Sequence, residues 1–171
     1  MLIRALESTD HAAVEHLLTV AFATTTAATP PIEVGLNTSL LDSEALLPHL
    51  ALVAELDGEV VGYCISTRGS IGEAEALGLG PIGVLPGHQR GGIGSALIAE
   101  TVRVAEAHGE GAIVLLGDPA YYGRFGFVPG SELGIVSPEP AWGEYFQALR
   151  LAAATDAHRG GFRYARPFDE L

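Results

Sequence analysis

The sequence predicts an α/β domain built on a mixed, twisted sheet with helices on both faces, and three observations carry that expectation. Ala51 to Leu56 and Glu59 to Ser66 are β-rich runs separated by Asp57-Gly58, the dipeptide that a two-residue hairpin turn favours. A helical pattern from about Gly92 to His108 lies between a strand ending at Val84 and the apolar run Ala112 to Leu116, which implies two parallel strands. With 171 residues, 48% hydrophobic and 18% charged, the chain has apolar material for one buried core, and a single domain over 1–171 is expected.

Taken in order, Leu2 to Leu6 reads as a short first strand. Ser8-Thr9-Asp10 then offers caps for a helix whose Val14, Leu17, Leu18, Ala21 and Phe22 fall on one face. Ala23 to Asn37, rich in Thr, Ala and Pro, reads as a flexible loop, and Leu40 to Leu47 as a second helix stopped by Pro48. The hairpin follows, then a longer strand over Glu73 to Val84 and the helix that Gly109 closes. Beyond Leu116, Asp118-Pro119 opens a short helix, a strand surrounds Phe127, and Pro138 and Pro140 mark a connection. A long strand near Glu144 to Leu151 precedes a tail ending in Pro167-Phe168, and no internal repeat is present.

Composition removes several functions. There are 21 Asp and Glu against 9 Lys and Arg, a formal charge of −12, and all nine cations are Arg. The absence of Lys excludes Schiff-base chemistry and the Lys of a Walker phosphate loop. So negative a chain suits neither nucleic acid nor an anionic membrane. An amine-bearing or cationic partner fits the charge, as does an acidic surface kept for solubility. The single Cys64 excludes an internal disulfide and a thiolate zinc cluster, and its apolar run (Val60 to Ile65) reads as the setting of a buried, inert thiol. His11 and His16 are five apart rather than four and there is no H-E-x-x-H, so no metal is expected; the lack of a G-x-S-x-G elbow argues against a hydrolase. Met1-Leu2-Ile3-Arg4 is not a signal peptide and no apolar run reaches membrane-spanning length, which gives a cytoplasmic expectation.

Two glycine-rich stretches compete for attention. Gly78 to Gly83 spells G-x-G-x-x-G, but Pro81 and Pro86 block the helix that a dinucleotide fingerprint requires directly after it. Gln89-Arg90-Gly91-Gly92-Ile93-Gly94-Ser95 instead stands between a strand and a helix, where unpaired first-turn N–H groups and the helix dipole can hold an anion. Read on spacing alone, it fits an anion cradle or a tight turn that permits close helix packing.

Val84-x-Pro86 followed by Gln89-x-x-Gly92-x-Gly94 and Ser95-Ala96-Leu97 resembles the acyl-CoA-binding motif, R/Q-x-x-G-x-G/A, of the GNAT N-acetyltransferases. Between the first two motif positions the chain has Arg90 then Gly91, where that family often has Gly then a basic residue. Leu115 to Phe127, with Asp118-Pro119-Ala120-Tyr121-Tyr122 inside it, resembles the family's short helix carrying an aromatic pair before Gly-Phe, and more closely a branch of acetyltransferases with Asp-Pro-x-Tyr-Tyr. The resemblance spans most of the chain up to about Gly130.

It implies a GNAT-like fold, with a parallel strand pair splayed around acetyl-CoA as acyl-donor cosubstrate and no metal. The cradle would be Gln89, Arg90, Gly91, Gly92, Ile93, Gly94 and Ser95, with backbone contacts from Gly83 and Val84. Tyr122, four before the Gly-Phe, would be the general acid that protonates the CoA thiolate; the alternative is a packing aromatic. Glu73 and Glu75, two apart on the strand leading into the site, are candidates for the base or else solvated charges at a strand's start. Asp118 reads as a helix cap, and His88 as a surface turn residue or else a phosphate contact beside Gln89. The implied activity is acetyl transfer to a primary amine of a small molecule or peptide, the alternative a non-catalytic acyl-CoA-binding regulatory module. Exposed edge strands could pair two copies into a homodimer.

Overall fold

The computed structural model describes residues 1–24 and 27–171. In chain order it contains β1 (Leu2–Ala5), α1 (His11–Ala21), α2 (Ile32–Leu41), β2 (Leu46–Leu56), β3 (Glu59–Ile71), β4 (Ala74–Val84), α3 (Ile93–Ala107) and β5 (Ala112–Leu116). Then follow α4 (Pro119–Tyr122), β6 (Val128–Pro129), β7 (Ile135–Val136), β8 (Phe146–Arg150) and β9 (Gly160–Arg163). The sheet runs β1-β2-β3-β4-β5-β8-β6, with β9 joining the end of β3 and β7 pairing β9.

The hairpin forms as its sequence dictates. Leu56 faces Glu59, and Asp57 (φ 52) and Gly58 (φ 82) both take the left-handed conformation that this turn needs. Alternation along β2 then divides the core: Leu50, Leu52 and Ala54 pack with Leu97 and Ile98 of α3, while Ala51 and Val53 pack with Leu17 and Leu18 of α1 and Leu40 of α2. The sheet is thus covered on both faces, as expected of the α/β fold.

Three boundaries differ from the sequence reading. The segment read as a loop from Ala23 to Asn37 becomes helical at Ile32, after an extended Pro31, and α2 ends at Leu41; Thr25 and Thr26 of that segment lie outside the described residues. Its apolar face, with Val34, Leu36 and Leu40 buried, outweighs the weak helix propensity of Gly35, Val34 and Ile32. Leu46 and Leu47 belong to β2 rather than to a helix. Pro48 is tolerated there because the register with β3 is interrupted between Leu46 and Ala51. The last long strand is confined to Phe146–Arg150, after a 3-10 segment kinked at Gly143 (φ 52).

One feature of the sheet positions the site. β4 and β5 are parallel, but they pair only at Leu77↔Ile113 and Gly78↔Val114. From Leu79 to Val84, β4 keeps β3 on one side and, among the described residues, has no strand on the other. The β3 register slips by one residue around Gly80-Pro81, where a proline without an N–H suits a bulge.

Candidate active site

Two cavities open along the free side of β4. The first, of about 660 Å³, lies where β4 meets α3. From Gln89 to Ser95 every residue except Gly91 lines it, and Gly83 and Val84 complete its wall. Arg90 (φ 63) and Gly92 (φ 87) are both left-handed, which turns the chain tightly into the first turn of α3. The first intrahelical bond is Ala96 N–H to Gly92 O, 3.0 Å, so the N–H groups of Ile93, Gly94 and Ser95 have no partner within the helix. A Cβ at Gly94 would come within 2.9 Å of the Tyr121 hydroxyl, so this position is closed to any side chain that cannot displace it. Arg90, Arg124 and His88 line the cavity and no carboxylate among the described residues does, in a chain whose net charge is −12. This arrangement suits a phosphorylated, anionic ligand.

Backbone parity assigns the inner wall. Leu85 N–H donates to Val61 O at 2.9 Å, which makes Gly83, two residues back, a hydrogen-bonded partner of Tyr63. The N–H and C=O of Ile82 and Val84 therefore point away from β3, into the gap. Gln89 Nε2 donates to Val84 O at 3.1 Å and clips the turn to the strand. Gly83 serves a different purpose: a Cβ there would meet Leu17 Cδ2 at 3.0 Å, so glycine lets α1 pack closely on β4. Ile82, absent from the sequence-derived set, is the residue beside Val84 that presents backbone groups to a ligand. Arg124 was also missed; its guanidinium stacks on Tyr121, 4.5 Å from the ring centroid, and that contact is invisible in spacing.

Tyr122 stands where the splayed strands part. Asp118 caps α4 through Oδ1, which accepts from Ala120 N–H at 2.9 Å, as its position before Pro119 led one to expect. The Tyr122 ring packs against Gly117, where a Cβ would overlap it, and meets Tyr121 edge-on at 5.0 Å. Burial raises the phenol above its ordinary value, so it remains protonated at neutral pH. Its hydroxyl has no hydrogen-bond partner among the described residues. Cys64 is distant in chemistry if not in fold: burial pushes its thiol up to about 12, which leaves it inert.

Glu73 and Glu75 are not brought to these cavities. Glu73 lies in the turn before β4, and Glu75, 81% exposed, faces Arg68 at 3.9 Å near the strand's start. Eight residues of strand separate Glu75 from Gly83, about 26 Å at 3.3 Å per residue.

The second cavity, of about 890 Å³, adjoins the first, and Phe22, Ile82 and Tyr122 line both. Its outer wall is aromatic: Trp142, Phe162, Tyr164 and Phe168. Among the described residues no group of three or more His, Cys, Asp or Glu could hold a metal ion, and no helix is long and apolar enough to cross a membrane.

A splayed β4–β5 pair, a glycine-rich turn into a long helix and a tyrosine at the fork together define an acyl-CoA-dependent acyltransferase fold. Residues 48–129 match the acetyltransferase (GNAT) domain family, and the chain belongs to that family. A GNAT family acetyltransferase from Brucella melitensis, solved in complex with acetyl-CoA, is 34% identical with a TM-score of 0.79, over 98% of this chain and 97% of that one. The YhbS N-acetyltransferase from Escherichia coli, solved with CoA, is 28% identical with a TM-score of 0.86, over 98% and 91%. The uncharacterized N-acetyltransferase YjhQ of Escherichia coli K12 is 34% identical over 113 residues; these are 63% of this chain and 62% of YjhQ's length.

Proposed function

We propose that residues 1–171 act as one N-acetyltransferase domain that moves an acetyl group from acetyl-CoA to a primary amine of a small molecule or peptide. The observation that carries this reading is the meeting of the two cavities at Tyr122, whose protonated hydroxyl is unclaimed by any described residue. The first-turn N–H groups of α3, with Arg90 and Arg124, would hold the pyrophosphate of acetyl-CoA, and the backbone of Ile82 and Val84 its pantetheine arm and acyl carbonyl. Bound there, the thioester supplies the acetyl group. The amine nitrogen bonds to the acyl carbon as the carbon–sulfur bond breaks; Tyr122 gives its hydroxyl proton to the departing sulfur and recovers the one that the amine sheds. Asp118-Pro119-Ala120-Tyr121-Tyr122 supports reading the chain as a member of the Asp-Pro-x-Tyr-Tyr branch it resembles.

The Glu75 and Glu73 carboxylates have no part in this scheme, since neither lines a cavity. The test is amine-dependent release of free thiol from acetyl-CoA by the wild type and by Tyr122→Phe. Release by the wild type alone supports the reading; binding of acetyl-CoA with no release for any amine would favour a regulatory module.

A further inference from the structure

The second cavity is chemically lopsided. Tyr164 anchors its wall, with Phe162 edge-on at 4.6 Å, Phe168 at 4.7 Å and Trp142 edge-on at 6.3 Å. Its ring is held against β4: a Cβ at Gly78 would meet Tyr164 Cδ1 at 3.0 Å. Such a wall favours a flat or extended apolar body, and ring faces also attract a cation.

Three carboxylate side chains line the same space, and they are not equivalent. Glu139 is occupied as a cap, its Oε1 accepting from Ala141 N–H at 3.0 Å. Asp169 is exposed, as are Arg163 and Arg166, and Arg166 lies 4.0 Å from Glu170. Glu33, in the first turn of α2, differs from all of these: its Oε2 is buried and has no hydrogen-bond partner among the described residues. The α2 dipole accounts for an acid in that turn, but not for a carboxylate that lines the cavity while one of its oxygens, shut off from solvent, lacks a donor. An unmatched buried carboxylate oxygen costs stability unless a donor arrives from outside.

We infer that this cavity takes a primary ammonium carried on an aromatic body, with Glu33 pairing the ammonium and the Trp142–Tyr164–Phe168 wall holding the ring. This deepens the proposed function and rests on it, because the amine so held lies in the cavity that ends at Tyr122. Glu33 acts here as a binding and selectivity residue: it pairs the ammonium, which passes one proton to that carboxylate, and on to solvent, before its free nitrogen attacks the acyl carbon. Small polar amines and flexible polycations lack the apolar body, so they forgo the wall.

The experiment compares 2-phenylethylamine and tryptamine with ethanolamine and spermidine, by thiol release at saturating acetyl-CoA. The arylalkylamines are expected to have the higher kcat/KM by roughly tenfold or more. Glu33→Gln should raise KM for 2-phenylethylamine by roughly tenfold or more, with KM for acetyl-CoA unchanged, and Glu33→Asp should recover part of the loss. Preference for ethanolamine or spermidine, or an unchanged KM in Glu33→Gln, would overturn the inference.

If no amine is turned over, 2-phenylethylamine is titrated calorimetrically into the CoA-saturated protein. Binding that Glu33→Gln abolishes supports the inference; no binding, or binding indifferent to Glu33, overturns it. Failure of acetyl-CoA itself to bind counts against the proposed function. The same amine titration on the free protein then decides the cavity's chemistry separately.

Discussion

Gly117 offers a way to move Tyr122 without altering it. Both backbone groups of this glycine are fixed: its N–H donates to Tyr145 O at 2.9 Å, and its C=O accepts from Gln147 Nε2 at 2.8 Å, with Gln147 only 1% exposed. In Gly117→Ala the new Cβ would stand 2.8 Å from Tyr122 Cδ2 and nearer still to Cε2. Ordinary contact begins at about 3.4 Å, so one partner must retreat by roughly 1 Å, and the pinned backbone leaves the ring to do so. Crowding of this kind costs about 1–3 kcal/mol of stability. If Tyr122 is the proton donor as proposed, a displacement of about 1 Å there costs roughly 100-fold in turnover. Gly117 lines neither cavity, so affinity for acetyl-CoA should hold within about twofold. The assay is thiol release at 25 °C, below the melting transition, with calorimetry for acetyl-CoA affinity. A kcat for Gly117→Ala equal to wild type would refute the argument that the ring's seat on Gly117 positions the acid.

Two further outcomes follow from side chains outside the cavities. Glu110, 7% exposed, accepts from both terminal nitrogens of Arg68 at 2.6 and 2.7 Å, tying the start of β5 to β3. Glu110→Gln should cost about 2 kcal/mol and lower Tm by about 4–8 °C; an unchanged melt would remove this pair from the stability account. Cys64 should resist thiol reagents in the native protein and react only on unfolding, because its sulfur is buried and held protonated. Labelling of the native protein at the rate of a free thiol would contradict that burial.

What the sequence disclosed and what it hid follow from how far apart the contributing residues stand. The Asp57-Gly58 turn, the β4–α3–β5 crossover and the Gln89 to Ser95 turn are local, and each carries its own chemical signature in consecutive residues. Pro31 and the buried face of α2 could not be weighed in the same way: the helix exists because α1 and the sheet cover Val34, Leu36 and Leu40, and its own propensity is poor. β9 is likewise unreadable in Gly160-Gly161-Phe162-Arg163; it forms because β3 is long enough to offer Ser70 and Ile71 as partners. The candidate site divides along the same line. The turn lining the first cavity is contiguous and legible, whereas the second cavity gathers Glu33, Tyr122 and side chains scattered from 138 to 171 through the fold alone. Glu75 shows the converse: of its two readings, a base or a solvated charge at a strand's start, its 81% exposure at the far end of β4 from the cavities fits the second.

The account turns on Tyr122 donating a proton in acetyl transfer, and its most direct measurement is the behaviour of Tyr122→Phe. Wild type and variant are titrated calorimetrically with acetyl-CoA, with NAD as control, and assayed for amine-dependent thiol release. The expected result is saturable binding of acetyl-CoA and not of NAD by both proteins, with kcat of the variant down by roughly 100-fold or more. Equal turnover by the two proteins would contradict the acid role, and failure of the wild type to bind acetyl-CoA would contradict the cradle on which everything else depends.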